Sequence, residues 1–388
     1  ALIRISDSIL SAMDNSEISL LCLIDLSKCF DVISHSKLLE KLQLIGVDAG
    51  WFRSYLDGHT QSVCISNGKG RRVLSSPLPN NVGVFQGSAL GPLLFTVFAN
   101  DMSLHAPDAR IIQYADDTQV LVSGRRSELS TVVARLETSL ASLSDWFTAN
   151  GLKVNASKTE LIVFGSRQNL RNMPDITVRF REAALMPCPK VRNLGVTFDS
   201  YLTWDDHVTT ITRKCFGMLI GLSHVRHHLP ADTIATLVNA LVLSHVRYCL
   251  PVYGNCSKKN LGRLDKVINF AARVVSGRRK HDHVADVRDA LGWLPADKLS
   301  SYDTLVLLHK VMRSREPADI AAMFVRNENV RERVTRQDSE LCLPAIRTEA
   351  GRRRFIYRAA AQYNDLPSSY HDMTVKAFKP SLKRRMLR

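Results

Sequence analysis

Apolar and polar positions in the first half of the chain predict a mixture of strands and helices. The apolar residues 20–24 predict a buried strand that ends at Asp25, and a helical pattern runs from Ser36 to Gly46. Residues 111–122 are apolar on both sides of Asp116 and Asp117, which predicts a hairpin with both acids at its tip. Further predicted elements are a hairpin at 63–73 with its turn at Asn67-Gly68, a buried helix at 89–102, a helix at about 128–147 closed by Asn150-Gly151, and strands near 161–164, 176–180 and 194–198.

The second half has a different pattern, in which apolar residues recur at steps of three and four. This spacing predicts amphipathic helices at 204–222, 234–248, 261–275 and 299–312. We therefore expect a boundary near Trp204, between a mixed α/β part and an all-helical part. The last stretch, with arginines at 352–354 and basic residues at 383–385, is predicted to be a basic tail.

Composition is that of a globular protein, and the charge is unevenly distributed. Of the 388 residues, 45% are hydrophobic and 23% are charged. Residues 1–200 contain 20 Lys and Arg against 19 Asp and Glu, whereas residues 201–388 contain 32 against 18. A neutral first half and a basic second half predict chemistry in one and polyanion binding in the other. The alternative is a solvated basic surface without a partner.

The sequence also bears on location and on metal binding. We find no apolar run of membrane-spanning length and no signal peptide, so we expect a nuclear or cytoplasmic protein without membrane association. The eight cysteines include no Cys-x-x-Cys pair. The spacing of the residues that would have to form a zinc site matches no usual pattern; they are His245, Cys249, Cys256, His281 and His283.

Three carboxylates are the candidate reactive groups. Adjacent carboxylates such as Asp116 and Asp117 repel each other unless a cation or a strong donor neutralises them. If Asp25, at the end of its own buried strand, lies beside them, the three make a site for two divalent ions. Each acid also has a simpler interpretation. The pair could be a polar hairpin tip facing water, and Asp25 could cap the helix beginning near Lys28 or face solvent.

Five short motifs, in order, resemble those of reverse transcriptases from non-LTR, jockey-like retrotransposons. They are Asp-Leu-Ser-Lys-Cys-Phe-Asp at 25–31 (motif A), Gly-Val-Phe-Gln-Gly-Ser-Ala-Leu-Gly-Pro at 83–92 (motif B), Tyr-Ala-Asp-Asp at 114–117 (motif C), Gly-Leu-Lys-Val-Asn at 151–155 with Ser-Lys-Thr at 157–159 (motif D), and Arg-Asn-Leu-Gly-Val at 192–196 (motif E). Later stretches, including Leu-Gly-Trp-Leu-Pro at 291–295 and Asn-Asp-Leu-Pro at 364–367, are similar to the region that follows the polymerase in such elements. The resemblance thus extends over nearly the whole chain.

The resemblance implies a fold and a function. The expected fold is α/β, with a right-hand polymerase palm (an antiparallel sheet with packed helices) followed by an all-helical thumb and a C-terminal segment. The implied domains are the palm at 1–203, the helical thumb or connection at 204–320, and the basic C-terminal segment at 321–388. The implied function is RNA-directed DNA synthesis with Mg²⁺, or Mn²⁺ in its place, on an RNA template, a DNA primer and deoxynucleoside triphosphates.

The resemblance also implies a role for particular residues. Asp25, Asp116 and Asp117 would hold two metal ions, with the main-chain carbonyl of Leu26 as a further ligand. The expected nucleotide-binding residues are Phe30, under the incoming sugar, and Gln86 with Gly87. Lys158 would approach the pyrophosphate leaving group, and Leu194 with Gly195 would grip the primer. From the residues alone, Phe30 could equally be a core residue, Gln86-Gly87 a strand-to-helix turn, and Lys158 a solvated surface charge.

One departure from the family pattern leads to a competing prediction. Only 24 residues precede Asp25, where the family places its fingers, and no endonuclease lies upstream. We therefore expect an N-terminally truncated fragment that binds nucleoside triphosphate poorly. The alternative function is a catalytically inactive, retrotransposon-derived remnant that still binds nucleic acid. The sequence makes no prediction of oligomeric state.

Overall fold

The structure is a computed structural model that describes residues 1–66, 68, 70, 72–329 and 340–387. The elements of the first half are α1 (Leu2–Asp14), β1 (Glu17–Ile24), β2 (Leu26–Ser27), α2 (His35–Leu44), α3 (Ala49–Leu56), β3 (Thr60–Gln61), β4 (Cys64–Ser66), β5 (Arg72–Leu74), β6 (Leu78–Pro79), α4 (Gly91–Ala99), β7 (Arg110–Tyr114), β8 (Asp117–Arg125), α5 (Leu129–Ala149), β9 (Lys153–Val154), β10 (Glu160–Phe164), α6 (Arg167–Leu170), β11 (Val178–Phe180) and β12 (Ala183–Leu185). Those of the second half are β13 (Lys190–Asn193), β14 (Val196–Asp199), α7 (Asp205–Val225), α8 (Ala231–Val238), α9 (Ser244–Arg247), α10 (Leu250–Tyr253), α11 (Lys258–Ser276), α12 (Ala285–Leu291), α13 (Ala296–Ser314), α14 (Ala318–Ala321), α15 (Glu349–Arg353), α16 (Phe355–Asn364), α17 (Ser368–His371) and α18 (Val375–Leu387).

The chain packs as two compact units. The first consists of Ala1, Ser19–Val163 and Asn172–Cys188. The second consists of Leu2–Ile18, Phe164–Arg171 and the described residues from Pro189 onward. The main junction, at residues 188 and 189, precedes the predicted boundary at 203 and 204. The assignment of palm, thumb and C-terminal segment to parts of the chain stays a prediction.

A four-stranded sheet with the order β10-β1-β8-β7 is the centre of the first unit. The strands β1 and β8 are the inner strands, and each buries five consecutive residues, 18–22 in β1 and 118–122 in β8. β7 and β8 form the predicted hairpin and pair antiparallel from Arg110 opposite Leu121 to Tyr114 opposite Asp117. The strand β1 is therefore a direct neighbour of this hairpin in the sheet.

Helices of the first unit cover the sheet with their apolar faces. The longest, α5, packs against β8 and β11 and buries Val132, Leu136, Leu140 and Leu143, which recur at helical spacing along one face. The helix ends at Ala149, and the positive φ of Gly151, +73°, turns the chain away from the helical conformation. α2 packs against α3 and α4. The predicted helix at 89–102 is α4 followed by a 3₁₀ turn at Asn100–His105.

The described part of the second unit is mainly helical and contains the hairpin of β13 and β14. α11 packs against α7, α8 and α13, and α1 packs against α10, α15 and α16. The carboxylate of Asp14, the last residue of α1, accepts hydrogen bonds from the main-chain N–H groups of Arg347 and Thr348, the latter at 2.6 Å. A segment near the start of the chain thus stabilises helices near its end.

The stretch predicted as a basic tail is helical within the described residues, which corrects that prediction. Phe355, Phe378 and Leu382 lie in the hydrophobic core of the second unit together with residues of α13. His309 of α13 stacks on Phe378 with ring centroids 3.9 Å apart. The basic side chains of α18 therefore form the outer face of a packed helix rather than a free tail.

Two other predictions of element bounds are wrong in detail. The strand predicted at 194–198 begins only at Val196, because Leu194 and Gly195 have φ of +44° and +81° and form a two-residue turn between β13 and β14. The helix predicted at 234–248 is interrupted by a π turn at Asn239–Leu243. The hairpin predicted at 63–73 is present as β4 paired with β5, but Asn67 of its predicted turn lies outside the described residues.

The coarse fold class is confirmed, since the chain is α/β with a sheet and packed helices. Among the described residues no helix has the length and apolar character needed to cross a membrane.

Candidate active site

Neighbouring strands bring Asp25 and Asp117 to the same level of the sheet. Asp25 directly follows β1, and Asp117 is the first residue of β8. The hydroxyl oxygens of Ser19 and Ser123, on the same two strands, lie 2.7 Å apart. Since Asp25 is six residues after Ser19 and Asp117 is six residues before Ser123, an antiparallel arrangement of β1 and β8 places the two acids opposite each other.

The turn that carries Asp116 has an unusual backbone. Tyr114 pairs with Asp117, so that Ala115 and Asp116 alone form the connection between β7 and β8. Two-residue hairpin turns favour Gly or Asn where φ is positive. Ala115 occupies this position with φ of +53°. Such strain is frequent at functional sites, where the surrounding structure holds it in place.

The three carboxylates influence one another electrostatically. Partial burial raises the pKa of Asp117, and the negative charges of Asp116 and Asp25 raise it further. Asp117 is the most exposed of the three, and Asp25 and Asp116 are half-buried. A positive charge placed beside these carboxylates would offset the repulsion between them.

A cysteine that the sequence did not single out contacts this cluster. Burial raises the pKa of Cys29 to about 12, and both the charge of Asp116 and a hydrogen bond to it add to the shift. The thiol is therefore protonated at neutral pH and lies beside the Asp116 carboxylate.

The donor set fits a divalent ion only in part. Within the residues that the structure describes, no three His, Cys, Asp or Glu side chains lie close enough together to hold a metal by themselves. Mg²⁺ typically binds one or two carboxylates and takes its other ligands from water and substrate phosphates. Asp25, Asp116 and Asp117 offer carboxylate oxygens of this kind, so the residues suit Mg²⁺ that arrives with a phosphorylated substrate.

Motif B is held against the last residues of motif A. The main-chain N–H of Val84 donates to the carbonyl of Phe30 at 2.8 Å. The amide of Gln86 donates to the Asp31 carboxylate at 2.8 Å. Gly87 has φ of +86°, and no atom lies within 4 Å of the position that a Cβ would occupy. Gln86 and Gly87 are therefore exposed beside the loop that carries Phe30.

The position of Phe30 is compatible with both interpretations, a core residue and a nucleotide-binding residue. Its ring stacks on Phe95 of α4, with centroids 4.6 Å apart and an angle of 28° between the planes. The residue is nevertheless only half-buried. One ring face is thus used for packing, and part of the side chain remains accessible.

The remaining predicted residues lie in two different places. Lys158 is exposed at the end of a 3₁₀ turn, three residues after Asn155, whose N–H donates to the carbonyl of Asp25 at 2.9 Å. Leu194 and Gly195 belong to the second unit, where the hydroxyl of Tyr248 donates to the carbonyl of Leu194 at 2.8 Å. Tyr248, like Cys29, was not identified from the sequence.

Comparison with known proteins gives one family match. The family described as "Reverse transcriptase (RNA-dependent DNA polymerase)" matches residues 4–198, which is half of the chain and includes all of the predicted site residues.

Curated relatives and solved structures extend the comparison. The RNA-directed DNA polymerase from mobile element jockey of Drosophila melanogaster is 27% identical over 296 residues, covering 73% of this chain and 31% of that protein. The probable RNA-directed DNA polymerase from transposon BS of the same species is 29% identical over 289 residues, covering 70% and 30%. The chain therefore spans about a third of the length of these relatives. Apo telomerase from Candida tropicalis gives a TM-score of 0.38 at 11% identity, covering 82% of this chain and 56% of that one.

Proposed function

Since the chain belongs to the reverse transcriptase family, we propose that it is an RNA-directed DNA polymerase whose reaction site is formed by Asp25, Asp116 and Asp117. The predicted resemblance to jockey-like reverse transcriptases is confirmed by the family match and by the relatives. The observation that supports this site best is the geometry of the sheet, because Asp25 directly follows β1, and Asp116 and Asp117 lie at the start of the neighbouring strand β8.

The acids supply charge, and the surrounding residues position them. Asp25, Asp116 and Asp117, with the main-chain carbonyl of Leu26, would hold two Mg²⁺ ions. The chemistry that such ions would supply is activation of the primer 3′-hydroxyl and stabilisation of the charge on the reacting phosphate. The thiol of Cys29 lies beside Asp116, and the N–H of Asn155 fixes the main chain at Asp25. Such positioning matters because electrostatic stabilisation depends on groups that are already in place.

Residues around the acids are proposed to bind the nucleotide. Phe30 would lie under the incoming sugar, and Gln86 with Gly87 would line the pocket, where the open space at Gly87 lets a substrate approach the backbone. Lys158 would neutralise charge on the leaving pyrophosphate.

The other predicted roles are assigned by position along the chain. The palm would comprise residues 1–203, the helical thumb 204–320 and the C-terminal segment 321–388. RNA template, DNA primer and deoxynucleoside triphosphates are the proposed partners. The turn at Leu194 and Gly195 would grip the primer, and the hydrogen bond from Tyr248 would hold that turn in shape.

A primer-extension assay on an RNA template tests this proposal. We expect the chain to extend a DNA primer with Mg²⁺ or Mn²⁺, and we expect Asp25→Asn or Asp117→Asn to lower the rate by at least about 100-fold, since a lost positioned group costs about that much. Asp108→Asn is the matched control, because it makes the same change at an exposed acid of the same unit. Full activity in the two site variants would contradict the proposed site.

A second measurement does not depend on turnover. Fe²⁺ replaces Mg²⁺ at many oxygen sites and cleaves the nearby backbone when peroxide is added. With primer, template and nucleotide present, we expect cleavage close to residues 25 and 116, and we expect it to disappear in Asp25→Asn. If the chain binds nucleic acid but shows neither extension nor this cleavage, the inactive nucleic-acid-binding remnant is the correct alternative.

A further inference from the structure

A groove between α7 and α11 of the second unit has features that polymerase chemistry does not require. The two helices pack against each other, and the cavity between their outer faces has a volume of about 560 Å³. Phe216 and Ile220 line it from α7, and Lys266 and Phe270 line it from α11. We call this cavity the α7–α11 groove.

The charged side chains that line the groove are all positive. Five basic residues line it, and no acidic side chain does so; these are Arg226, Lys266, Arg273, Arg278 and Lys280. Arg278 forms an ion pair with Asp286 outside the groove, and Arg273 donates to the carbonyl of Asp282. Even with Arg278 neutralised, the groove keeps a net charge that attracts anions.

The floor of the groove is aromatic and apolar. The rings of Phe216 and Phe270 have centroids 5.9 Å apart and planes inclined by 32°. Both are only half-buried, and Ile220 is 51% exposed. Partly exposed aromatic rings that are surrounded by Lys and Arg side chains suit ligands that combine a flat apolar group with a phosphate.

We propose that the α7–α11 groove binds single-stranded nucleic acid, with unpaired bases stacked on Phe216 and Phe270 and the phosphates held by the surrounding Lys and Arg side chains. The positive side chains attract the phosphates of the nucleic-acid backbone. The rings favour unpaired bases, because the faces of paired bases are covered by their neighbours within a duplex. The groove is thus distinct from the acid cluster, which would bind the primer end and the nucleotide.

Binding by the full chain can be measured without any polymerase reaction. The fluorescence anisotropy of a labelled, unstructured oligoribonucleotide is followed in EDTA, which removes divalent ions. We expect Lys266→Ser/Lys280→Ser to weaken binding about tenfold near 0.1 M salt. The slope of log K against log salt should fall by about 1.4, since each phosphate neutralised on a single strand contributes about 0.7.

A ring variant separates stacking from charge. Phe270→Leu keeps an apolar side chain but removes the aromatic face, and we expect it to weaken binding about tenfold while the salt slope stays unchanged. A duplex of the same length should bind more weakly than the single strand and should be insensitive to Phe270→Leu. Parallel titrations with single-stranded DNA determine whether the groove prefers RNA. Circular dichroism verifies that each variant is folded.

The control removes the same charge elsewhere. Lys376→Ser/Arg384→Ser changes two exposed basic residues of α18 and leaves the groove intact. If this variant weakens binding as much as Lys266→Ser/Lys280→Ser, the attraction is a general property of the basic surface and the proposal is wrong. It is equally wrong if Phe270→Leu changes nothing, or if an acidic peptide competes as well as the oligonucleotide does. Because no polymerase activity enters this test, its result is independent of the proposed function.

Discussion

Gly83 occupies a position where any side chain would meet the backbone. Its φ is +84°, and a Cβ there would lie 2.7 Å from the carbonyl oxygen of Asp31. Its own N–H donates to the carbonyl of Ile33 at 2.7 Å, so the two segments cannot separate without losing that bond. We expect Gly83→Ala to lower the free energy of unfolding by about 3 kcal/mol, from backbone strain and steric overlap together.

Gly87 provides the matched comparison for this prediction. It has nearly the same φ, +86°, but open space where a Cβ would be. Gly87→Ala should therefore carry only the conformational cost, about 1 kcal/mol. Urea unfolding of both variants gives the difference between them, and equal losses would show that the approach of Asp31 to Gly83 is not as close as described.

The raised pKa of Cys29 leads to a prediction about the reactivity of its thiol. Its pKa is raised to about 12 by burial and by Asp116, so its thiolate fraction at neutral pH is very small. Asp116→Asn removes a negative charge and should speed the alkylation of Cys29 by iodoacetamide. The reference is Cys22, whose pKa is also raised to about 12 but by burial alone. Mass spectrometry should find Cys22 unchanged in the variant, and an unchanged Cys29 would rule out the contact with Asp116.

At the residue scale the sequence predicts the three acids as the candidate site, but it gives no indication of the groups that lie beside them. Asp25, Asp116 and Asp117 are recognisable because paired acids at the ends of apolar runs are costly without a function. The contact of Cys29 with Asp116 depends on the pairing of strands that are far apart in sequence. The contact between Tyr248 and Leu194 likewise joins residues 54 positions apart. Neither contact leaves a local signal.

At the scale of elements, the carboxylate of Asp14, the last residue of α1, binds the residues that lead into α15. Burial of Asp14 raises the pKa of its carboxyl group. Hydrogen bonds from the hydroxyl and N–H of Thr348 and from the N–H of Arg347 lower that pKa by more, so the net shift is downward. Asp14→Ala removes these acceptors and leaves the N–H groups of Arg347 and Thr348 without this partner. We expect a loss of about 3 kcal/mol, since hydrogen bonds to charged groups contribute about 1.5–3 kcal/mol.

An exposed cap is the control for Asp14. Asp48 accepts one hydrogen bond, from the N–H of Gly50 at 2.9 Å, at the start of α3. Asp48→Ala should cost only about 1 kcal/mol, because water can replace the lost partner. Thermal unfolding of both variants compares a carboxylate that joins two helices with one that caps a single helix. A similar loss in both would contradict the role given to Asp14.

Elements were predictable where apolar spacing alone defines them. The strand before Asp25, the helix α5 and the long helices α7, α11 and α13 follow from this spacing. The π turn at Asn239–Leu243 was missed because steps of three and four residues do not distinguish it from a regular helix. Leu194 was assigned to a strand because an apolar residue rarely takes a positive φ. In α18, basic residues obscured the helical spacing of Phe378 and Leu382.

At the scale of the whole molecule, the acid stability of the fold depends on buried groups of the second unit. His207 is 3% exposed, and burial, helped by the charge of Arg192, lowers its pKa from 6.5 to about 4. Its Nδ1 accepts a hydrogen bond from the N–H of Thr197 at 3.2 Å, which requires that nitrogen to be unprotonated. The folded protein therefore holds His207 neutral over a range where the unfolded chain would protonate it.

The sign of the pH effect follows from this difference. Between pH 6.5 and pH 4 the unfolded chain binds the proton more readily, so the free energy of unfolding falls as the pH falls through that window. For His207 alone the loss at pH 5 is on the order of 2 kcal/mol, and above pH 6.5 it vanishes.

His207→Asn keeps an acceptor for Thr197 but does not titrate. We expect wild-type protein to lose about 2 kcal/mol more than His207→Asn between pH 7 and pH 5, measured by urea unfolding at each pH. Groups such as Asp14 and His309 titrate in both proteins, so their effects cancel in this comparison. His224→Asn, an exposed position on the same helix, should behave like the wild type. Parallel stability curves for wild type and His207→Asn would show that His207 is already protonated or accessible in the folded state.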